Sequence, residues 1–95
     1  MAATGMIEQS IISKLLESGS LDVLHTNNVL PEMFLTCKDE IEFILRHFEK
    51  YKQVPDKVTF LAEFGDFQML EVSENMEYLI YKLKEAYTYI KIELS

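Results

Sequence analysis

The residues of this chain that could do chemistry are few and far apart. There are two histidines, His25 and His47, one cysteine, Cys37, and 16 acidic residues against 9 basic ones. The histidines do not have the spacing of a helical metal pair, and one cysteine cannot complete a thiolate site, so both histidines read as surface or boundary residues. A nucleophilic cysteine needs a base beside it, and nothing near Cys37 in the chain supplies one. The acidic pair Asp39/Glu40 suits the start of a helix, where it complements the dipole, and nothing singles out a general acid and a general base among 16 carboxylates. With only Gly5, Gly19 and Gly65, there is neither a phosphate loop nor a dinucleotide fingerprint. The expectation is a chain without catalytic, cofactor-binding or metal residues, not an enzyme by itself.

Composition narrows the partners. The 95 residues suffice for one domain, residues 1–95, with the first five expected to be disordered. A net charge of −7 argues against a dedicated nucleic-acid surface, because affinity for phosphate comes from clustered Lys and Arg. Lys50, Lys52 and Lys57 come nearest to a patch, but Glu49 and Asp56 interrupt them, and a solvated helix end is the plainer reading. Basic proteins are the partners that such a charge would steer inward. No apolar run approaches the roughly 20 residues that span a bilayer, and the amino terminus lacks the basic start of a secretory leader. One cysteine excludes an intrachain disulfide and suits a reducing compartment. The chain reads as soluble and cytoplasmic, with no membrane partner.

The elements that would position any site are helical. Ile7, Ile11, Ile12, Leu15 and Leu16 share one side of a first helix, which Ser18-Gly19-Ser20 ends. Ser20 is placed to cap a short second helix through Leu21, Val23 and Leu24. Asn27-Asn28 signals a turn, and Pro31 opens a brief helix carrying Met33 and Phe34. Ile41, Ile44, Leu45, Phe48 and Tyr51 then repeat at helical spacing. Pro55 lacks an amide donor and disfavours a helical Val54, so this helix should stop near Lys52. Asp56 can cap the next helix, whose apolar side is read as Val58, Leu61, Ala62 and Phe64, with Gly65 supplying a left-handed cap. No segment alternates with period two. The predicted fold is all-α, a small orthogonal bundle of about five to six helices ending in a long C-terminal helix.

That last helix has two apolar stripes. Met76, Leu79, Ile80, Leu83, Tyr87, Ile90 and Leu94 form one, and Tyr78, Tyr81, Tyr89 and Ile92 form another. One stripe satisfies a core this small, so the second is free for a partner, and tyrosine suits such a surface because its ring gives contact area while its hydroxyl stays wet. The candidate protein interface is Tyr78, Tyr81, Lys82, Glu85, Tyr89 and Ile92. Lys91-Ile92-Glu93-Leu94-Ser95 carries no stop signal, which reads as a chain cut from something longer.

Several short pieces of the chain, in order, resemble one family. Glu8-Gln9-Ser10-Ile11-Ile12 followed by Leu15-Leu16 is similar to the opening of DnaB-like replicative helicases. Leu30-Pro31-Glu32-Met33-Phe34 resembles that family's short element ending in phenylalanine, and Ile41 to Lys52 resembles the helix that follows it. Val54-Pro55-Asp56-Lys57-Val58-Thr59-Phe60-Leu61-Ala62-Glu63 looks like its Pro-x-Asp-x-Val-Thr segment, and Glu77-Tyr78-Leu79 like a later Tyr-Leu pair. The resemblance covers most of Ile7 to Leu83. It implies the helicase's amino-terminal domain, a helical module of the collar that self-associates and meets primase or a helicase loader in DNA replication. ATP and Mg would belong to a separate motor domain, whose Walker loop this chain lacks. Two departures, Val72-Ser73-Glu74-Asn75 in place of glycines and no visible turn after Leu83, suit a phage or prophage protein. The alternative is a freestanding small acidic adaptor or inhibitor that binds a replication protein.

Overall fold

The computed structural model describes the backbone of residues 2–94 and the side chains of residues 5–88. Five α-helices and one 3-10 turn follow one another: α1 (Ala2–Ser18), α2 (Asp22–Thr26), the 3-10 turn (Pro31–Met33), α3 (Lys38–Tyr51), α4 (Lys57–Glu63) and α5 (Met76–Leu94). There is no strand among the described residues. The fold is a small all-α bundle. α1 packs against α5, and both α3 and α5 meet the 3-10 turn, so elements at the two ends of the sequence close on each other. No helix among the described residues is long and apolar enough to cross a membrane.

α1 begins at Ala2, so the backbone of residues 2–5 is helical. Gly5 lies beside the segment before α3, where a Cβ on it would come within 3.8 Å of Thr36 Oγ1. Ile11, Ile12, Leu15 and Leu16 are buried, as their spacing requires. The helix then ends at Gly19, whose φ of +71° is the left-handed conformation that glycine adopts without a Cβ clash.

Side chains of the preceding turn serve the starts of α4 and α5. Asp56 caps α4 by accepting the Thr59 amide at 2.7 Å, and Asn75 Oδ1 accepts the Glu77 amide at 2.7 Å where α5 begins. The N-cap of α2 is Leu21 without a side-chain bond; Ser20 Oγ instead accepts the Asp22 amide at 3.2 Å from one residue further back. α3 stops at Tyr51, as Pro55 demands, and Lys52 takes the left-handed cap at φ +60°. Val54 and Pro55 are buried, so the break between α3 and α4 is itself part of the core.

Two expectations fail at α4. Its helix ends at Glu63 with Phe64 as C-cap at φ −122°, and Gly65 takes no left-handed conformation. The buried residue of α4 is Phe60, with none of its surface exposed; of the expected apolar side, Leu61 and Phe64 are half-buried against the core, while Val58 is 78% exposed and Ala62 is also in solvent. Phe60 is turned inward by aromatic neighbours from other elements: Phe67 at 5.0 Å and 87°, and Phe43 at 6.2 Å and 62°.

The non-helical stretch from Phe64 to Asn75 is tied to α1. Phe67 enters the core, Ser13 Oγ accepts the Leu70 amide at 3.1 Å, and Lys14 Nζ donates to the Val72 carbonyl at 3.5 Å. These contacts satisfy backbone groups that no helix serves.

Candidate protein interface on the last helix

α5 divides into sides with different fates. Leu79, Ile80 and Leu83 point into the core. Along a neighbouring edge, Lys84 Nζ donates to the Asn27 carbonyl and the Tyr87 hydroxyl donates to Glu32 Oε2 at 3.2 Å, fastening the helix to α2's exit and to the 3-10 turn. The third side is open. There Tyr78 is 47% exposed and Tyr81 59% exposed.

Four of the six residues assigned to the interface come together on this open side. Lys82 Nζ lies 5.9 Å from the ring centroids of both Tyr78 and Tyr81, and 3.3 Å from Glu85 Oε1. The bond to the Glu85 carboxylate, and then its charge, hold the Lys82 ammonium above the ordinary lysine range. The result is a surface strip with two aromatic rings arranged about one cation, which in turn is paired to a carboxylate. Tyr89 and Ile92, the other two, lie outside the residues whose side chains are described; both belong to α5 by backbone.

The side chains with intrinsic reactivity do not assemble. His25 is exposed, and His47 Nδ1 faces the Gln53 carbonyl at 3.0 Å, an acceptor, so the ring donates there. No group of three His, Cys, Asp or Glu among the described residues could hold a metal. Cys37 lines an open cleft of about 400 Å³ together with Gln9, Glu40, Glu63 and Asp66, and no histidine or lysine among the described residues lines it. Burial pushes the Cys37 thiol up to about 11; the Glu40 and Glu8 charges add to the rise, and a hydrogen bond with Thr36 opposes it. A thiol in that state is a poor nucleophile.

Sequence reasoning missed the most constrained polar residue, Glu8. Its side chain is completely buried. Oε1 accepts the Thr36 amide at 2.8 Å, the Cys37 amide at 2.8 Å and the Thr36 hydroxyl at 3.0 Å, while Oε2 accepts the Leu35 amide at 3.0 Å. The carboxylate therefore serves the free amides leading into α3, a capping role supplied from another helix. One signal was legible: Glu8 stands four residues before Ile12 and seven before Leu15, an acid within the apolar stripe of α1.

No protein-family model, no curated protein and no solved structure matches the chain.

Proposed function

We propose that this chain is the non-catalytic amino-terminal domain of a DnaB-like replicative helicase, serving self-association and the docking of primase or a helicase loader. The observation that carries the reading is the open side of α5, where Tyr78 and Tyr81 flank the Lys82–Glu85 pair on a helix whose other sides are already engaged. Rings held near a cation lose little freedom on binding, and tyrosine is enriched where proteins meet. The pieces that carry the family resemblance also occupy positions that set the backbone. Glu8 holds the entry to α3, Phe34 is buried, Pro55 is buried at the helix break and Asp56 caps α4. In this reading ATP and Mg act in a motor domain elsewhere, and this domain contributes contacts only.

The net charge of −7 favours a second reading, a freestanding acidic adaptor or inhibitor that occupies a replication protein through the same α5 side. The open reading frame downstream of Ser95 separates the two, since only the first requires a motor domain in the same gene.

Light scattering tests the shared claim. The wild-type chain forms a dimer or larger species, or binds primase or loader, and Tyr78→Ala with Tyr81→Ala weakens that association while the circular dichroism of the helices is retained. A wild-type chain that stays monomeric at high concentration and binds neither partner overturns the reading.

A further inference from the structure

A second site lies away from α5, in the cleft that Cys37 lines. Its volume of about 400 Å³ falls within the range of pockets that take small organic groups, roughly 300–1,000 Å³, and is far larger than a bare ion fills. Three parts of the chain build its wall: Gln9 from α1, Cys37 and Glu40 from the start of α3, and the run from Glu63 to Phe67 where α4 ends. Phe67 and Cys37 are buried and Phe64 is half-buried, so part of the lining is apolar.

The charged part of the lining carries one sign. Glu40, Glu63 and Asp66 face the cleft, and no basic side chain among the described residues lines it. None of these three carboxylates has an ion-pair or hydrogen-bond partner among the described residues. α4 also ends at Glu63 without a basic residue in its last turn, the end of a helix where backbone carbonyls favour a cation. The wall responds to this charge. Burial is the main cause of the raised Cys37 thiol, and the Glu40 carboxylate adds to the rise. Local charge and the chain's net charge of −7 thus have the same sign, and the lining offers no cation of its own.

We propose that this cleft receives the side chain of an arginine from a basic segment of another protein. The apolar lining takes the aliphatic stem, and the carboxylates accept from the guanidinium, whose planar set of N–H donors serves several acceptors at once. A divalent cation fits less well, because no group of three acidic, histidine or cysteine side chains among the described residues is placed to hold a metal ion. A nucleic-acid strand would bring phosphates up to carboxylates. The site shares no residue with the open side of α5 and does not depend on the helicase reading.

The test titrates the full, isotopically labelled chain with a capped, glycine-rich peptide carrying one central arginine, read by amide NMR. Two probes run alongside: the same peptide with citrulline, which has the shape of arginine without its charge, and magnesium chloride. The arginine peptide gives saturable shifts at Gln9, Cys37, Glu40, Gly65 and Phe67, and the citrulline peptide binds roughly tenfold more weakly or worse. Glu40→Gln with Asp66→Asn lowers affinity for the arginine peptide by a similar factor. Glu17→Gln with Glu49→Gln removes the same charge from exposed positions outside the cleft and changes affinity by less than about twofold, since salt screens distant charges. The citrulline comparison is made on the wild-type chain, so it decides the matter whether or not the variants fold. The proposal is overturned by absence of saturable shifts at the cleft residues, by equal binding of the citrulline peptide, by an equal loss in the two double variants, or by magnesium shifting the same residues at lower concentration than the arginine peptide.

Discussion

Glu8 and Cys37, separated by most of the first two helices in sequence, meet through a 2.8 Å bond from the Cys37 amide to the buried Glu8 carboxylate. Cys37 is the N-cap of α3 and offers no side-chain cap of its own, so the acceptor for the start of α3 comes from α1. Three further donors from Leu35 and Thr36 converge on the same two oxygens, and no basic side chain among the described residues shares them. Replacement by glutamine sets an NH₂ donor against amide donors, and Glu8→Gln is expected to lower stability by about 2–3 kcal/mol in urea unfolding. Glu8→Ala costs at least as much, because it leaves the amides unmet and a cavity. A glutamine variant with the wild-type midpoint would show that the carboxylate is not what orders the entry to α3.

Cys37 beneath this network titrates in the opposite sense from a redox thiol. Burial is the main cause of its rise from an ordinary 9.0 to about 11. Since the folded thiol ionises at higher pH than the unfolded one, its contribution to stability is complete below about 9 and is lost as the pH climbs through about 11. At pH 8 the native chain should resist iodoacetamide, with labelling following global unfolding in urea. Fast labelling of the folded chain at pH 8 would mean that the thiol is open to solvent.

Asp56 gives the acid side of the profile. The Thr59 amide, with further help from the Thr59 side chain and the charge of His47, lowers its carboxyl below the ordinary 3.8. A lowered value means stability that is present above 3.8 and disappears as pH falls through the folded value. Asp56→Ala is therefore expected to lower the melting temperature at neutral pH, and the difference from wild type should shrink as the pH is taken below 3.8. A difference that is constant with pH would assign the effect to helix propensity instead of to the charged cap.

In α3, Ile44 has no exposed surface and belongs to the core shared with α1, α4 and α5. Ile44→Ala deletes three carbons from a close-packed site, and the expected loss is about 2–5 kcal/mol, depending on how far the neighbours collapse. An unchanged melting temperature would remove Ile44 from the core.

How much of this was legible depended on element length. α1, α3 and α5 are long enough for their apolar spacing to fix a phase, and Ile11, Ile44 and Leu83 are buried where that spacing puts them. The breaks at Gly19 and before Pro55 were legible because they rest on backbone chemistry local to one or two residues. Tyr51 continues the stripe of α3 yet lies in solvent, since the chain turns away at Lys52 before any element covers the last turn. The clustering of Tyr78, Tyr81, Lys82 and Glu85 followed from one helix alone, as residues three and four apart share a side. Glu8 was not assigned its role because its donors come from residues 27 to 29 positions away, which no local pattern encodes.

α4 shows the same limit in a testable form. Across only seven residues, Val58, Leu61, Ala62 and Phe64 make as good an apolar side as one centred on Phe60, and local periodicity cannot choose between them. The choice is made by Phe43 from α3 and by Phe67 beyond α4, whose rings meet Phe60 edge-on. Phe60→Ala should therefore cost about 3–5 kcal/mol, because it empties the centre of that aromatic group. Val58→Ala should stay within about 0.5 kcal/mol of wild type, as an exposed side chain has no packing to lose. Urea unfolding of the two variants decides the register of α4. The reverse order of effects would place Val58 inside and Phe60 outside.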